Sequence, residues 1–146
     1  MSGATPQADP RPQSAPFFFP VRVYYEDTDA GGVVYYANYL KFMERARTEW
    51  LRAAGFEQPE LLRDFGVIFV VRAVAIEYLA PARFNDNLTI AVRLEKLGRS
   101  SIEVSQTVER DTLLAEAKIK IVCVDGISFK PVSLPAAIRQ QLEDRS

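Results

Sequence analysis

The chain contains no histidine. That absence excludes Ser-His-Asp and Cys-His hydrolases, histidine-dependent dehydratases and most zinc sites. Any general base must be a carboxylate, a lysine or a tyrosine. Cysteine is nearly missing too. Cys123 stands alone, so no internal disulfide can form, and its run Ile121-Val122-Cys123-Val124 reads as a packed thiol in a strand. No stretch approaches the ~18 apolar residues that span a bilayer, and the N-terminal region holds no apolar segment of signal-peptide length. A cytoplasmic protein without membrane insertion is expected. Neither sign of charge prevails: 18 basic and 19 acidic residues leave a net charge of −1. Nothing therefore points to nucleic acid or a membrane surface as partner.

What is present organises simply. Residues 1–16, rich in Pro, Ser, Ala and Gln, are expected to form a disordered tail. Phe17-Phe18-Phe19 then reads as a clasp docking that tail onto one domain spanning 17–146. A β-type run covers Val21 to Glu26. A long helix runs from Asn38 to Ala54 and stops at Gly55. A short helical turn is expected at Pro59 to Arg63. Strand patterns follow at Val67–Tyr78, Leu88–Leu97, Ser101–Arg110 and Leu113–Val124. Gly98-Arg99-Ser100 and Asp111-Thr112 read as hairpin turns. Pro131 and Pro135 break the sheet, and a terminal helix is expected from Pro135 to Leu142. Strand, long helix and four strands in meander predict an α+β fold: a five-stranded antiparallel sheet against one helix.

The helix pattern is unusual in one respect. At about 100° per residue its apolar arc holds Leu40, Phe42, Met43, Ala46, Trp50, Leu51, Ala53 and Ala54. Lys41, Arg45, Thr48, Glu49 and Arg52 lie opposite. Arg47 falls inside the arc and Glu44 at its edge. They read either as a rim pair one turn apart or as two groups near a pocket or subunit interface.

The stretch from Tyr25 to Tyr39 is the most informative. A β-run stops at Asp27, Asp29, Gly31 and Gly32, and a helix begins within a few residues. Glycines permit a sharp turn and a close ligand approach. The helix start offers unpaired N–H groups and the positive end of its dipole. Four readings compete: a plain structural turn, a calcium loop, a D-x-D metal site and a carboxylate-dependent acyl-transfer site. A calcium loop fits poorly, because Gly31 and Asn38 stand where its fifth and twelfth ligands belong. No nucleotide-binding βαβ pattern accompanies the D-x-D.

The residues V-R-V-Y-Y-E-D-T-D-A-G-G-V-V-Y at 21–35, A-N-Y-L at 37–40 and E-R-A-R-T-E at 44–49 carry a resemblance. F-V-V-R at 69–72, E-Y-L-A-P-A-R at 77–83 and V-C-V-D at 122–125 extend it. From Val21 to about Leu134 the chain resembles the hotdog-fold acyl-CoA thioesterases of the 4-hydroxybenzoyl-CoA thioesterase type, most of all their Tol–Pal-associated branch. The resemblance implies an antiparallel sheet wrapped around one long central helix. It implies a homodimer joined edge to edge, or a tetramer of two dimers, with the active site at the dimer interface.

It further implies that Asp29 is the catalytic carboxylate and that the backbone N–H of Tyr36 polarises the thioester oxygen. Gly31 and Gly32 would let the acyl group approach, and Asp27 would be a turn or capping residue. Lys96, Arg99 and Arg83 are the cations expected to meet the phosphates of CoA. No metal or organic cofactor is implied. Tyr36 stands where the Tol–Pal branch carries histidine and the hydroxybenzoyl-CoA enzymes carry tyrosine. Short-chain acyl-CoA is the first expected substrate and aromatic acyl-CoA the second. The alternative is a non-catalytic module binding acyl-CoA or acyl carrier protein beside the Tol–Pal system; the intact Asp29, Gly31 and Gly32 weigh against it.

Overall fold

The computed structural model describes residues 15–145. The tail expected at 1–16 lies, through residue 14, outside the described residues. Among those described, five strands form one antiparallel sheet. They are β1 (Phe17–Arg22), β2 (Val67–Tyr78), β3 (Asn87–Leu97), β4 (Ser101–Glu109) and β5 (Leu113–Asp125). The helices are α1 (Tyr36–Ala53), α2 (Gln58–Phe65) and α3 (Ala136–Asp144). The α+β class and the five antiparallel strands are as expected; beside the long α1, the short turn expected at Pro59 to Arg63 is the helix α2, and the expected terminal helix is α3, so the described residues hold three α-helices.

Two expectations are corrected. Phe17-Phe18-Phe19 is no clasp: it begins β1, with Phe17, Phe19 and Val21 turned toward the core and Phe18 outward. Pro20 is tolerated because β1 is an edge strand, paired with β3 alone among the described residues. The strands from β2 onward do not form a meander of four. The order is β1-β3-β4-β5-β2, so β2 pairs with β5 on the far edge. Tight turns join β3 to β4 and β4 to β5, whereas the link from Tyr78 to Asn87 is long, contains Pro81 and crosses over.

Inward-facing residues alternate as a half-buried sheet requires. Ile102, Val104 and Val108 on β4, and Ala115, Ala117, Ile119 and Ile121 on β5, are all buried. α1 lays Phe42, Met43, Ala46, Trp50 and Leu51 on this face and stops at Gly55, whose φ is +97°. Gln106 is the polar exception in the β4 series. Although only 1% exposed, it donates from Nε2 to the Met43 carbonyl (3.0 Å) and accepts from Arg47 Nη1 (2.9 Å). Both of its polar ends are thus satisfied.

Leu40 and Ala53 sit on the expected apolar arc yet are exposed. Leu40 borders a groove of about 260 Å³ with Lys41, Glu44, Arg47, Val71 and Val74. A register shift between Val71 and Ala73 on β2 lets Val71 and Val74, three positions apart, both face it. The outer edge of β2 has no strand beside it among the described residues. Cys123, near the end of β5 and opposite Phe69, is fully buried, and burial pushes its thiol up to about 11.

Candidate active site

The site is built on a small hairpin. Thr28 and Val34 form a bridge, the Asp29 N–H donates to the Val33 carbonyl (2.9 Å), and the Gly32 N–H donates to the Asp29 carbonyl (3.0 Å). Gly32 closes the turn at φ +80°, where a side chain would be strained. The Gly31 N–H donates to Asp29 Oδ1 at 2.8 Å, and a Cβ on Gly31 would come within 3.2 Å of that same oxygen. Asp29 itself is exposed. The hairpin is clamped from outside: Val33 bridges Arg83, and the Val34 N–H donates to the Ala82 carbonyl (2.8 Å). The Ala82 N–H donates in turn to the buried Tyr39 hydroxyl (2.9 Å). Helix α1 thereby fixes the clamp.

Asp27 does a different job. It is buried, and its Oδ2 accepts from the Tyr24 N–H at 2.8 Å. Its carbonyl accepts from the Tyr35 N–H (3.1 Å) and from Asn38 Nδ2 (2.8 Å). Asp27 therefore ties the end of the β1 segment to the start of α1. Asp27→Ala keeps the carbonyl but leaves the part-buried Tyr24 N–H without its acceptor, and is expected to lower the unfolding free energy by about 1–3 kcal/mol. Urea denaturation of the variant beside the native chain measures it.

The chain leaves the hairpin at Tyr35, the N-cap, and enters α1 at Tyr36. N–H groups of a first helical turn have no intrahelical acceptor, and the helix dipole adds positive character there. Around this point stand the rings of Tyr35, Tyr36, Tyr39 and Tyr78. Tyr78 meets Tyr36 edge-on at 6.0 Å and Tyr39 at 5.3 Å. Burial, with smaller contributions from Tyr36 and Tyr39, raises the Tyr78 hydroxyl above the usual tyrosine value. A side-chain hydrogen bond with Tyr36 does the same for Tyr35.

Asp29, Gly31, Gly32, Tyr36 and Arg83 thus meet at one end of the sheet. Lys96 and Arg99 do not join them. Val122 pairs with both Val70 and Ser101, so the Gly98–Ser100 turn lies level with Val70. Tyr78 marks the other end, ~25 Å away at ~3.3 Å per residue. There Arg99 donates from Nε to Ser133 Oγ (2.9 Å), and its carbonyl accepts from the Leu134 N–H (2.8 Å).

The comparisons with known proteins agree with this architecture. Residues 23–142 match the family model described as the thioesterase-like superfamily. The chain belongs to the thioesterase-like superfamily. It is 49% identical over 124 residues, 84% of this chain and 92% of the relative, to "Acyl-CoA thioester hydrolase YbgC" of Escherichia coli O6:H1. It is 32% identical over 122 residues, 83% of this chain and 82% of the relative, to "1,4-dihydroxy-2-naphthoyl-CoA hydrolase" of Nostoc punctiforme. A probable thioesterase from Bartonella henselae superposes with a TM-score of 0.78 at 37% identity, covering 83% of this chain and all (100%) of that one. The fold is accordingly the hotdog type.

Two structural supports were missed in sequence. The residues 77–83 were legible as a motif, but the backbone clamp of Ala82 and Arg83 on the hairpin was not. Gln106, which holds Met43 and Arg47, left a readable signal: it interrupts the inward series Ile102, Val104, Val108 with an amide. No helix among the described residues is long and apolar enough to cross a membrane.

Proposed function

We propose that the chain hydrolyses acyl-CoA thioesters to free acid and CoA, with residues 17–146 as the thioesterase domain around α1 as its central helix. The observation that carries this reading is the exposed Asp29 carboxylate on a hairpin leading directly into the N-terminus of α1. It occurs in a histidine-free chain that shares 49% identity with an acyl-CoA thioester hydrolase. Asp29 acts as the general base that takes a proton from water, or as the nucleophile itself. Attack on the thioester carbon gives an oxyanion that the Tyr36 N–H stabilises. Collapse breaks the C–S bond, and CoA leaves as thiolate and takes up a proton; on the nucleophilic route water then cleaves the Asp29–acyl anhydride, releasing the acid and restoring the carboxylate. Gly31 and Gly32 leave room for the acyl group. Incorporation of oxygen-18 from water into the Asp29 carboxylate in a single turnover would mark the nucleophilic route.

Two chains join through their β2 edges, as a dimer or a pair of dimers in the cytoplasm. An unpaired, partly apolar edge strand favours this reading. Antiparallel pairing of β2 with its copy would lay one chain's Val67 end beside the other's Tyr78 end. Lys96 and Arg99 of the second copy, with Arg83 of the first, are then the cations offered to CoA phosphates. The substrate is a short-chain acyl-CoA; Tyr36 and the tyrosines around it favour an aromatic acyl group as the second reading. Non-catalytic binding of acyl-CoA or acyl carrier protein beside the Tol–Pal system is the alternative.

Thiol release from a panel of acetyl-, butyryl-, benzoyl- and hydroxybenzoyl-CoA tests the proposal. Turnover is expected, fastest on the short aliphatic esters. Faster turnover of the aryl esters would select the second reading. No turnover of any ester by the folded protein would overturn the thioesterase function.

A further inference from the structure

We propose that Glu44 and Arg47 form reciprocal ion pairs across the two-fold axis of the dimer, Glu44 of each copy reaching Arg47 of the other. This rests on the edge-to-edge reading of β2. Arg47 is the starting point. It is half-buried, and burial holds its guanidinium below the usual arginine value, against a smaller opposing effect of Glu44. Its hydrogen bond goes to the neutral amide of Gln106, and it has no ion pair among the described residues. Glu44, one turn away and exposed, has none either. A desolvated charge is costly until an opposite charge meets it. Gln106 is itself locked by Met43, so the guanidinium is held facing the groove.

A second copy of this chain is the occupant that the groove fits. Val71 and Val74, which line the groove, belong to the same strand whose outer edge lies open, so a copy that pairs with that edge also covers the groove. A two-fold interface must be self-complementary: if residue i meets j, then j meets i. Along the groove side of α1 the charges run Lys41 plus, Glu44 minus, Arg47 plus. Laid antiparallel on itself, this line is repulsive if the axis passes through Glu44, since Glu44 would face its own copy. Opposite charges meet if the axis falls between Glu44 and Arg47, or between Lys41 and Glu44. The desolvated, ion-pair-free guanidinium selects Arg47.

Charge reversal separates this from a pair within one helix. Glu44→Arg alone and Arg47→Glu alone should each weaken self-association by about a hundredfold or more, since like charges then face one another. Mixed together, the two variants should form a one-to-one heterodimer within about tenfold of native affinity. Native mass spectrometry and sedimentation velocity read both quantities. No chain in the mixture carries opposite charges at 44 and 47, so an intrahelical pair cannot yield that result. The double variant E44R/R47E restores reciprocity, should dimerise like the native chain, and guards against misfolding of a single variant.

Single variants that dimerise like the native chain, or a mixture without heterodimer, would overturn the pairing. So would rescue of Glu44→Arg by Lys41→Glu instead of Arg47→Glu. A monomeric native chain would instead overturn the dimer reading on which the pairing rests.

Discussion

Asp29→Asn is expected to lower acyl-CoA turnover by about 10³-fold, within the 10²–10⁴ range of a lost general base, and to leave the fold intact. The substitution is unusually clean. Asp29 is exposed, and its side chain accepts from the Gly31 N–H at 2.8 Å. Asparagine keeps an amide oxygen for that donor, so the hairpin from Thr28 to Val34 should persist. Only the charge, and with it the capacity to attack or to take a proton, disappears. Tyr36→Phe is the companion measurement. Its proposed donor is main-chain, so turnover should stay within a few-fold. Steady-state thiol release and urea denaturation of the three proteins check both statements. Near-native turnover by Asp29→Asn would mean that another residue is the base.

Phe42→Ala carries the largest stability effect, about 3–5 kcal/mol for a buried phenylalanine, against a total of roughly 5–15 kcal/mol for a typical protein. Phe42 is completely buried on the sheet side of α1, and its ring meets Tyr39 at 6.4 Å. The loss reaches beyond the cavity. Tyr39 accepts the Ala82 N–H, and Ala82 holds the hairpin of Thr28 to Val34, so loosening Tyr39 loosens the clamp. A fall in melting temperature of roughly 10–20 °C is expected. Leu40→Ala makes the contrast. It lies on the same apolar arc but is 37% exposed, and should cost under about 1 kcal/mol in the separate chain.

Strand and helix positions were legible where periodicity was strong. The span Val67–Tyr78 and the turns at Gly98 and Asp111 are read directly from alternation and turn residues. Strand order was not. Nothing in the alternation of β2 distinguishes pairing with β3 from pairing with β5; that depends on the long Pro81 link and on where α1 must be covered. The helix expected from Asn38 begins two residues earlier, at Tyr36: Tyr35 occupies the cap and Asn38 turns its amide to the Asp27 carbonyl. The hairpin residues were legible as a group. Their clamp was not, since backbone bridges such as Val33 to Arg83 leave no side-chain signature. That Arg99 lies at the opposite end of the sheet from Tyr78 was also hidden, because charge type says nothing about which end of a sheet a turn occupies.

The buried Cys123 has a meaning that its packing role does not exhaust. The proposed reaction releases a free thiol, CoA, at every turnover. Exposed protein thiolates attack the disulfide that this thiol forms on oxidation, expel one CoA thiolate and are left as mixed disulfides. The rate depends on thiolate fraction and on access. With its only cysteine fully buried and pushed up to about 11, the folded chain offers its own product no sulfur to bond to. It can accumulate CoA in an oxidising moment without becoming covalently capped by it.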